Sequence, residues 1–137
     1  MDGYKIVADV PIRFSDTDAL GHVNNANYLS FIEVARVAYL KEALGRAKVE
    51  DLGVIIARIE IDYKSPAFHH EVLRIGCRVI EIGGASIRME YRLEDKATER
   101  LVAMAQSVMV TYDYDLGRPI RVPEDWRKKM EDIDGVA

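Results

Sequence analysis

From Asn27 to about Leu44 the chain carries apolar side chains around nearly the whole circumference of a helix. They are Tyr28, Leu29, Phe31, Ile32, Val34, Ala35, Val37, Ala38, Tyr39, Leu40 and Leu44. Before Lys41 and Glu42, only Ser30, Glu33 and Arg36 interrupt this cover, as one narrow stripe. A helix apolar on nearly every side is expected to be enclosed on several sides. Gly45 supplies its stop. Glu33 and Arg36, one turn apart, read as a structural ion pair.

The rest of the chain reads as the enclosure. Tyr4 to Arg13 alternates, with Ile6, Ala8, Val10, Ile12 and Phe14 on one face, and Pro11 marks an edge position or a bulge. Ala47 to Gly53 is a short connection of unassigned structure. Val54 to Lys64 is a strand ended by Ser65-Pro66, and Val72 to Ile82 is a second. Gly83-Gly84 is a hairpin turn into Ala85–Glu94. Leu101 to Tyr114 is apolar on both faces over much of its length and belongs inside the sheet. Asp115 to Val122 reads as turn and coil. Pro123 then opens a short terminal helix to Met130.

One strand, one enclosed helix and four further strands give an α+β chain of a single domain spanning 1–137. Its sheet is antiparallel and curved around the helix, with a solvated outer face of mixed charge. No strand–helix alternation recurs to build parallel crossovers.

At 137 residues the chain can bury a core without disulfides or metal staples. A net charge of −4 speaks against general nucleic-acid binding, which needs a basic surface. The lone cysteine, Cys77, forms no internal disulfide, fits a reducing compartment and reads as a small buried hydrophobe. No apolar run approaches a membrane span, and Met1 to Lys5 does not open a signal peptide. The expected location is cytoplasmic.

The turn before the helix is chemically dense: Arg13-Phe14-Ser15-Asp16-Thr17-Asp18-Ala19-Leu20-Gly21-His22-Val23-Asn24-Asn25. Asn24 or Asn25 is the expected N-cap. A helix start offers N–H groups without intrahelical acceptors and the positive end of the dipole, which suits acyl transfer beside a carboxylate. A calcium loop starting at Asp16 fails at its fifth and twelfth positions, Leu20 and Asn27. His69-His70-Glu71 has adjacent donors pointing to opposite sides and lacks the spacing of a zinc site, so it reads as a solvated loop. Either aspartate alone is expected to order the backbone of its own turn.

Taken together, Arg13 to Asp18, Gly21-His22-Val23-Asn24-Asn25, Tyr28-Leu29 and Glu33-x-Ala35-Arg36 resemble the signature of hotdog-fold acyl-CoA thioesterases of the 4-hydroxybenzoyl-CoA thioesterase type. Two weaker similarities are Ile59–Tyr63 before Pro66 and Gly117-Arg118-Pro119 with Pro123-Glu124. The resemblance implies a hotdog fold, a curved five-stranded antiparallel sheet around one long central helix. It also implies a homodimer with sheets paired edge to edge, or a homotetramer, with active sites shared between subunits.

It further implies that Asp18 is catalytic, as general base or nucleophile, while Asp16 holds the turn. The Asn25 backbone N–H would polarise the thioester carbonyl. His22 and Asn24 would shape the turn and line the site, and Tyr63 and Ser86 would bind substrate. The basic run useful for CoA phosphates in this family is replaced here by Gly83-Gly84-Ala85, with only Ser86 matching. Neither a cofactor nor a metal is expected. The competing readings are a non-catalytic acyl-CoA or acyl-carrier binding protein and a hotdog dehydratase.

Overall fold

The computed structural model describes residues 1–45 and 53–136. The connection read at 47–52 lies outside the described residues. In chain order the elements are β1 (Ile6–Pro11), a 3-10 turn (Phe14–Asp16), α1 (Asn27–Leu44), β2 (Val54–Tyr63), β3 (Val72–Ile82), β4 (Ser86–Asp95), β5 (Leu101–Asp113), β6 (Arg118–Pro119) and α2 (Glu124–Asp134). The sheet order is β1-β3-β4-β5-β2, every pairing is antiparallel, and β6 adds two residues to β5. This is the hotdog fold, with one short strand more than the five read from the sequence.

The core lies between α1 and the concave face. Tyr28, Phe31, Ile32, Ala35 and Tyr39 pack over Leu73, Ile75, Cys77 and Val79 of β3 and Met89, Tyr91 and Leu93 of β4. The alternation of these strands brings every second side chain inward. Burial pushes the Cys77 thiol up, so it stays protonated and inert. The convex face carries the expected charges, paired as Arg78–Glu90 at 2.6 Å, Arg92–Glu94 at 2.7 Å and Arg74–Asp9 at 3.0 Å.

Four local expectations change. First, α1 is buried against its own sheet on one side only. Leu29 and Val34 project away from it and remain 45% and 49% exposed. Second, the residue before the regular helix is Ala26, which is already helical and has no capping side chain, so the capping expected of Asn24 is made one step earlier. Asn24 accepts the Ala26 N–H on Oδ1 at 3.0 Å, within the turn.

Third, Glu33 and Arg36 do not pair. Arg36 turns toward the sheet and donates to the Tyr91 hydroxyl at 3.4 Å, which lies 2.7 Å from Ser107 Oγ. Fourth, α2 runs past Met130 to Asp134 because its last turn is held by tertiary bonds. Asp134 Oδ2 accepts from the buried Tyr39 hydroxyl and from the Val79 N–H at 2.9 Å. β1 pairs with β3 only as far as Ile6 against Cys77, so this carboxylate occupies the stretch of β3 edge that β1 leaves open.

Candidate active site

The polar turn is built outward from Asp16. Its carboxylate is 4% exposed and accepts from the Arg13 backbone N–H at 2.8 Å and from the guanidinium at 2.9 and 3.3 Å. The Arg13 guanidinium holds this carboxyl below its ordinary range. The Asp16 carbonyl oxygen then accepts from the Asn24 N–H at 3.0 Å and Asn27 Nδ2 at 2.8 Å, tying the turn to the start of α1.

Asp18 sits at the tip. Its backbone N–H donates to the His22 carbonyl at 2.9 Å, and its Oδ1 accepts the Leu20 N–H at 2.8 Å. The tight return is made by Gly21 at φ +86°, a conformation open to glycine. Oδ2 of Asp18 faces Nδ1 of His22 at 3.5 Å, and the Val23 carbonyl lies 3.4 Å from the same nitrogen. Both neighbours of Nδ1 are acceptors. That assigns a proton to Nδ1.

At the helix start nearly every donor is occupied. The Asn24 N–H goes to Asp16, the Ala26 N–H to Asn24 Oδ1 and the Asn27 N–H to the Asn24 carbonyl at 2.9 Å. Among the described residues, the Asn25 N–H has no acceptor. The Asn25 carbonyl accepts from the Tyr63 hydroxyl at 3.0 Å, across 38 residues of chain.

His22, Asn25, Tyr28, Tyr63, Lys64 and Pro66 border an open cleft of about 260 Å³. Tyr28 and Tyr63 meet edge to face with ring centroids 5.1 Å apart. Burial, reinforced by Tyr63, pushes the Tyr28 phenol up to about 12, so it remains a neutral hydroxyl at physiological pH. Asp18 stands behind His22 rather than on the cleft wall.

Of the residues expected in the site, His22, Asn25 and Tyr63 come together around this cleft. Asn24 adjoins it and works within the turn, and Asp18 is linked to it through His22. Within one chain Ser86 does not join them. It opposes Val110 on β5 whereas Tyr63 opposes Ala103. Seven residues of strand, about 23 Å, separate those two positions. Ser86 instead closes the β3–β4 hairpin, accepting the Gly83 N–H on its carbonyl at 2.8 Å.

Two contributors were not expected in the site. Tyr28 reads as a core residue, yet it borders the cleft. Arg100 clamps the loop that forms the cleft's far side, donating to the Pro66 carbonyl at 2.9 Å, Ser65 Oγ at 3.1 Å and the Glu71 carboxylate at 2.9 and 3.0 Å. Glu71 is thus a structural anchor. His69 and His70 lie exposed beside it, with His69 edge-on to Phe14 and His70 stacked on Phe68. Among the described residues, no three His, Cys, Asp or Glu side chains converge as a metal site.

Fold and turn together define the class, a hotdog-fold thioester hydrolase. The chain belongs to the Thioesterase-like superfamily, whose model matches residues 12–130. It is 34% identical, over 84% of its length and 89% of the relative's, to a 1,4-dihydroxy-2-naphthoyl-CoA hydrolase of Synechococcus elongatus. It is 25% identical to the long-chain acyl-CoA thioesterase FadM of Escherichia coli, over 90% of this chain and 96% of that one. A Thermus thermophilus thioesterase solved with coenzyme A and zinc superposes with a TM-score of 0.89 at 32% identity, covering 98% of both chains. No helix among the described residues is long and apolar enough to cross a membrane.

Proposed function

We propose that this chain hydrolyses acyl-CoA thioesters to a free acid and CoA. The observation that carries the reading is the Asn25 N–H, without an acceptor among the described residues at the start of α1, on a cleft lined by His22, whose Nδ1 faces Asp18. The thioester carbonyl oxygen accepts from this amide as negative charge grows on it, and the helix dipole adds to the effect. One such donor contributes about 3–4 kcal/mol to the barrier reduction.

Asp18 acts as general base, taking a proton from the attacking water. The water oxygen bonds to the carbonyl carbon, the C–S bond breaks, and the proton passes to the departing sulfur. The names of the curated relatives, both acting on acyl-CoA esters, support the substrate class.

The working unit is a homodimer or a dimer of dimers, with each site completed across the interface. Among the described residues the outer edge of β2 has no partner strand, and Ile55, Ile56, Leu29 and Val34 are exposed apolar residues that a second copy would cover. The lone buried thiol of Cys77 suits the cytoplasm.

A panel of aromatic, branched and linear acyl-CoA esters assayed for thiol release tests the function. Binding without thiol release across the whole panel would favour a non-catalytic acyl-CoA binding protein instead.

A further inference from the structure

Asn25 is hinged between two peptide planes. The first contains the Asn24 carbonyl and the Asn25 N–H, which point in opposite directions because the peptide is trans. The Asn24 carbonyl accepts the Asn27 N–H at 2.9 Å, inside the first turn of α1. The Asn25 N–H is therefore directed the other way, out of the turn. The second plane contains the Asn25 carbonyl and the Ala26 N–H. Asn24 Oδ1 holds the N–H at 3.0 Å and the Tyr63 hydroxyl holds the carbonyl at 3.0 Å.

Tyr63 is well placed to be rigid. It is the last residue of β2, opposite Ala103. The chain leaves the sheet just after it, where the Lys64 and Ser65 N–H groups both donate to the Val102 carbonyl, at 2.8 and 3.1 Å. Val102 is the residue skipped where β4 changes register on β5, from Leu93–Ala103 to Glu94–Leu101. The Tyr63 ring is braced edge-on against Tyr28, in the first turn of α1. Its hydroxyl proton is directed to a protein carbonyl rather than into the cleft.

We infer that Tyr63 is a positioning residue for the carbonyl-polarising amide: by fixing the Asn25 carbonyl it locks the second of the two peptide planes that meet at Asn25 and so steadies the Asn25 N–H, rather than binding substrate itself. This rests on the thioester-hydrolysis reading and assigns Tyr63 a role in kcat. Because Tyr63 ends the free edge strand, it also links that edge directly to the helix start.

The test is Tyr63→Phe, which keeps the ring against Tyr28 and removes only the hydroxyl. Tyr114→Phe is the control, since the Tyr114 hydroxyl makes a like bond to the Val54 carbonyl at 3.3 Å, at the other end of β2. Complete loss of such a donor costs about 10²–10³-fold in kcat, and loosening it forfeits part of that. Tyr63→Phe should lower kcat about tenfold with KM within about twofold, the mark of an interaction made in the transition state. Tyr114→Phe should match wild type.

The Asn25 and Ala26 amide resonances should shift in Tyr63→Phe and not in Tyr114→Phe, whether or not turnover is measured. Wild-type kcat in Tyr63→Phe, a rise in KM with kcat kept, or equal losses in both variants would overturn the assignment and leave hydrolysis standing. A wild-type protein inert toward every acyl-CoA would overturn hydrolysis instead. Unchanged Asn25 and Ala26 resonances would then overturn the positioning role separately.

Discussion

Asp16 and Asp18, two residues apart, are held in opposite ways. Both oxygens of Asp16 are occupied by Arg13, whereas Asp18 commits Oδ1 to the Leu20 N–H and leaves Oδ2 facing His22. One carboxylate is fixed in structure and the other keeps an oxygen toward the cleft side of the turn.

Conservative substitution should separate them. Asp18→Asn keeps the shape and removes the base, so thiol release should fall at least about 10²-fold. Asp16→Asn breaks the pairing with Arg13, and it should lose more stability and much less activity. Steady-state kinetics with urea titration of both variants checks this. Equal losses of activity in two folded variants would remove Asp18 from the chemistry.

Isotope transfer distinguishes the two routes open to Asp18. In a single turnover in H₂¹⁸O, with enzyme in excess, water activation places one label in the product acid and none in the protein. A mixed anhydride opened by water at the Asp18 carbonyl would label Asp18 instead. Mass spectrometry of the peptide bearing Asp18 should show it unlabelled.

Acid should act through Asp16. Its carboxyl, lowered by the hydrogen bonds from Arg13, binds fewer protons folded than unfolded. Its contribution is complete above the unfolded value of about 3.9 and fades as pH drops through the lower folded value. Unfolding free energy measured from pH 6 down to pH 3 should fall less steeply for Asp16→Asn than for wild type.

Asp134→Ala should loosen α2. The change leaves the buried Tyr39 hydroxyl and the Val79 N–H without their shared acceptor, at a cost of about 2–3 kcal/mol. Urea denaturation should report that loss, and the Val79 amide should exchange faster with solvent. The Tyr39 phenol, pushed well up by burial and by Asp134, should move back toward its ordinary value.

Much of the fold is legible in the chain because its determinants are local. The apolar run closed by Gly45 locates α1 at Asn27–Leu44, and alternation locates β3 at Val72–Ile82, as both stand in the structure. Features set by distant partners are not legible. The length of α2 depends on Asp134 meeting Tyr39, 95 residues away, and Arg36 finds Tyr91 rather than its helical neighbour Glu33.

The site divides in the same way. The motif from Asp16 to Asn25 brings His22 and Asn25 to one cleft through bonds within the turn. The Tyr63–Asn25 contact and the Arg100 clamp need the sheet to exist first. Ser86 was linked to the site by similarity alone, and strand register carries it to the other end.

The carboxylate of Asp134 on the open stretch of β3 has a consequence for how copies of this chain can accumulate. A sheet with two pairing-competent margins can add neighbours at both, without limit. Here one side offers only the six-residue β1, ending in Pro11, and beyond it the Val79 N–H is already claimed by the terminal helix. The ten-residue β2 on the other side keeps its backbone groups available. Strand addition therefore has one good starting point and ends once it is used, so the geometry favours a closed pair over an open-ended fibre.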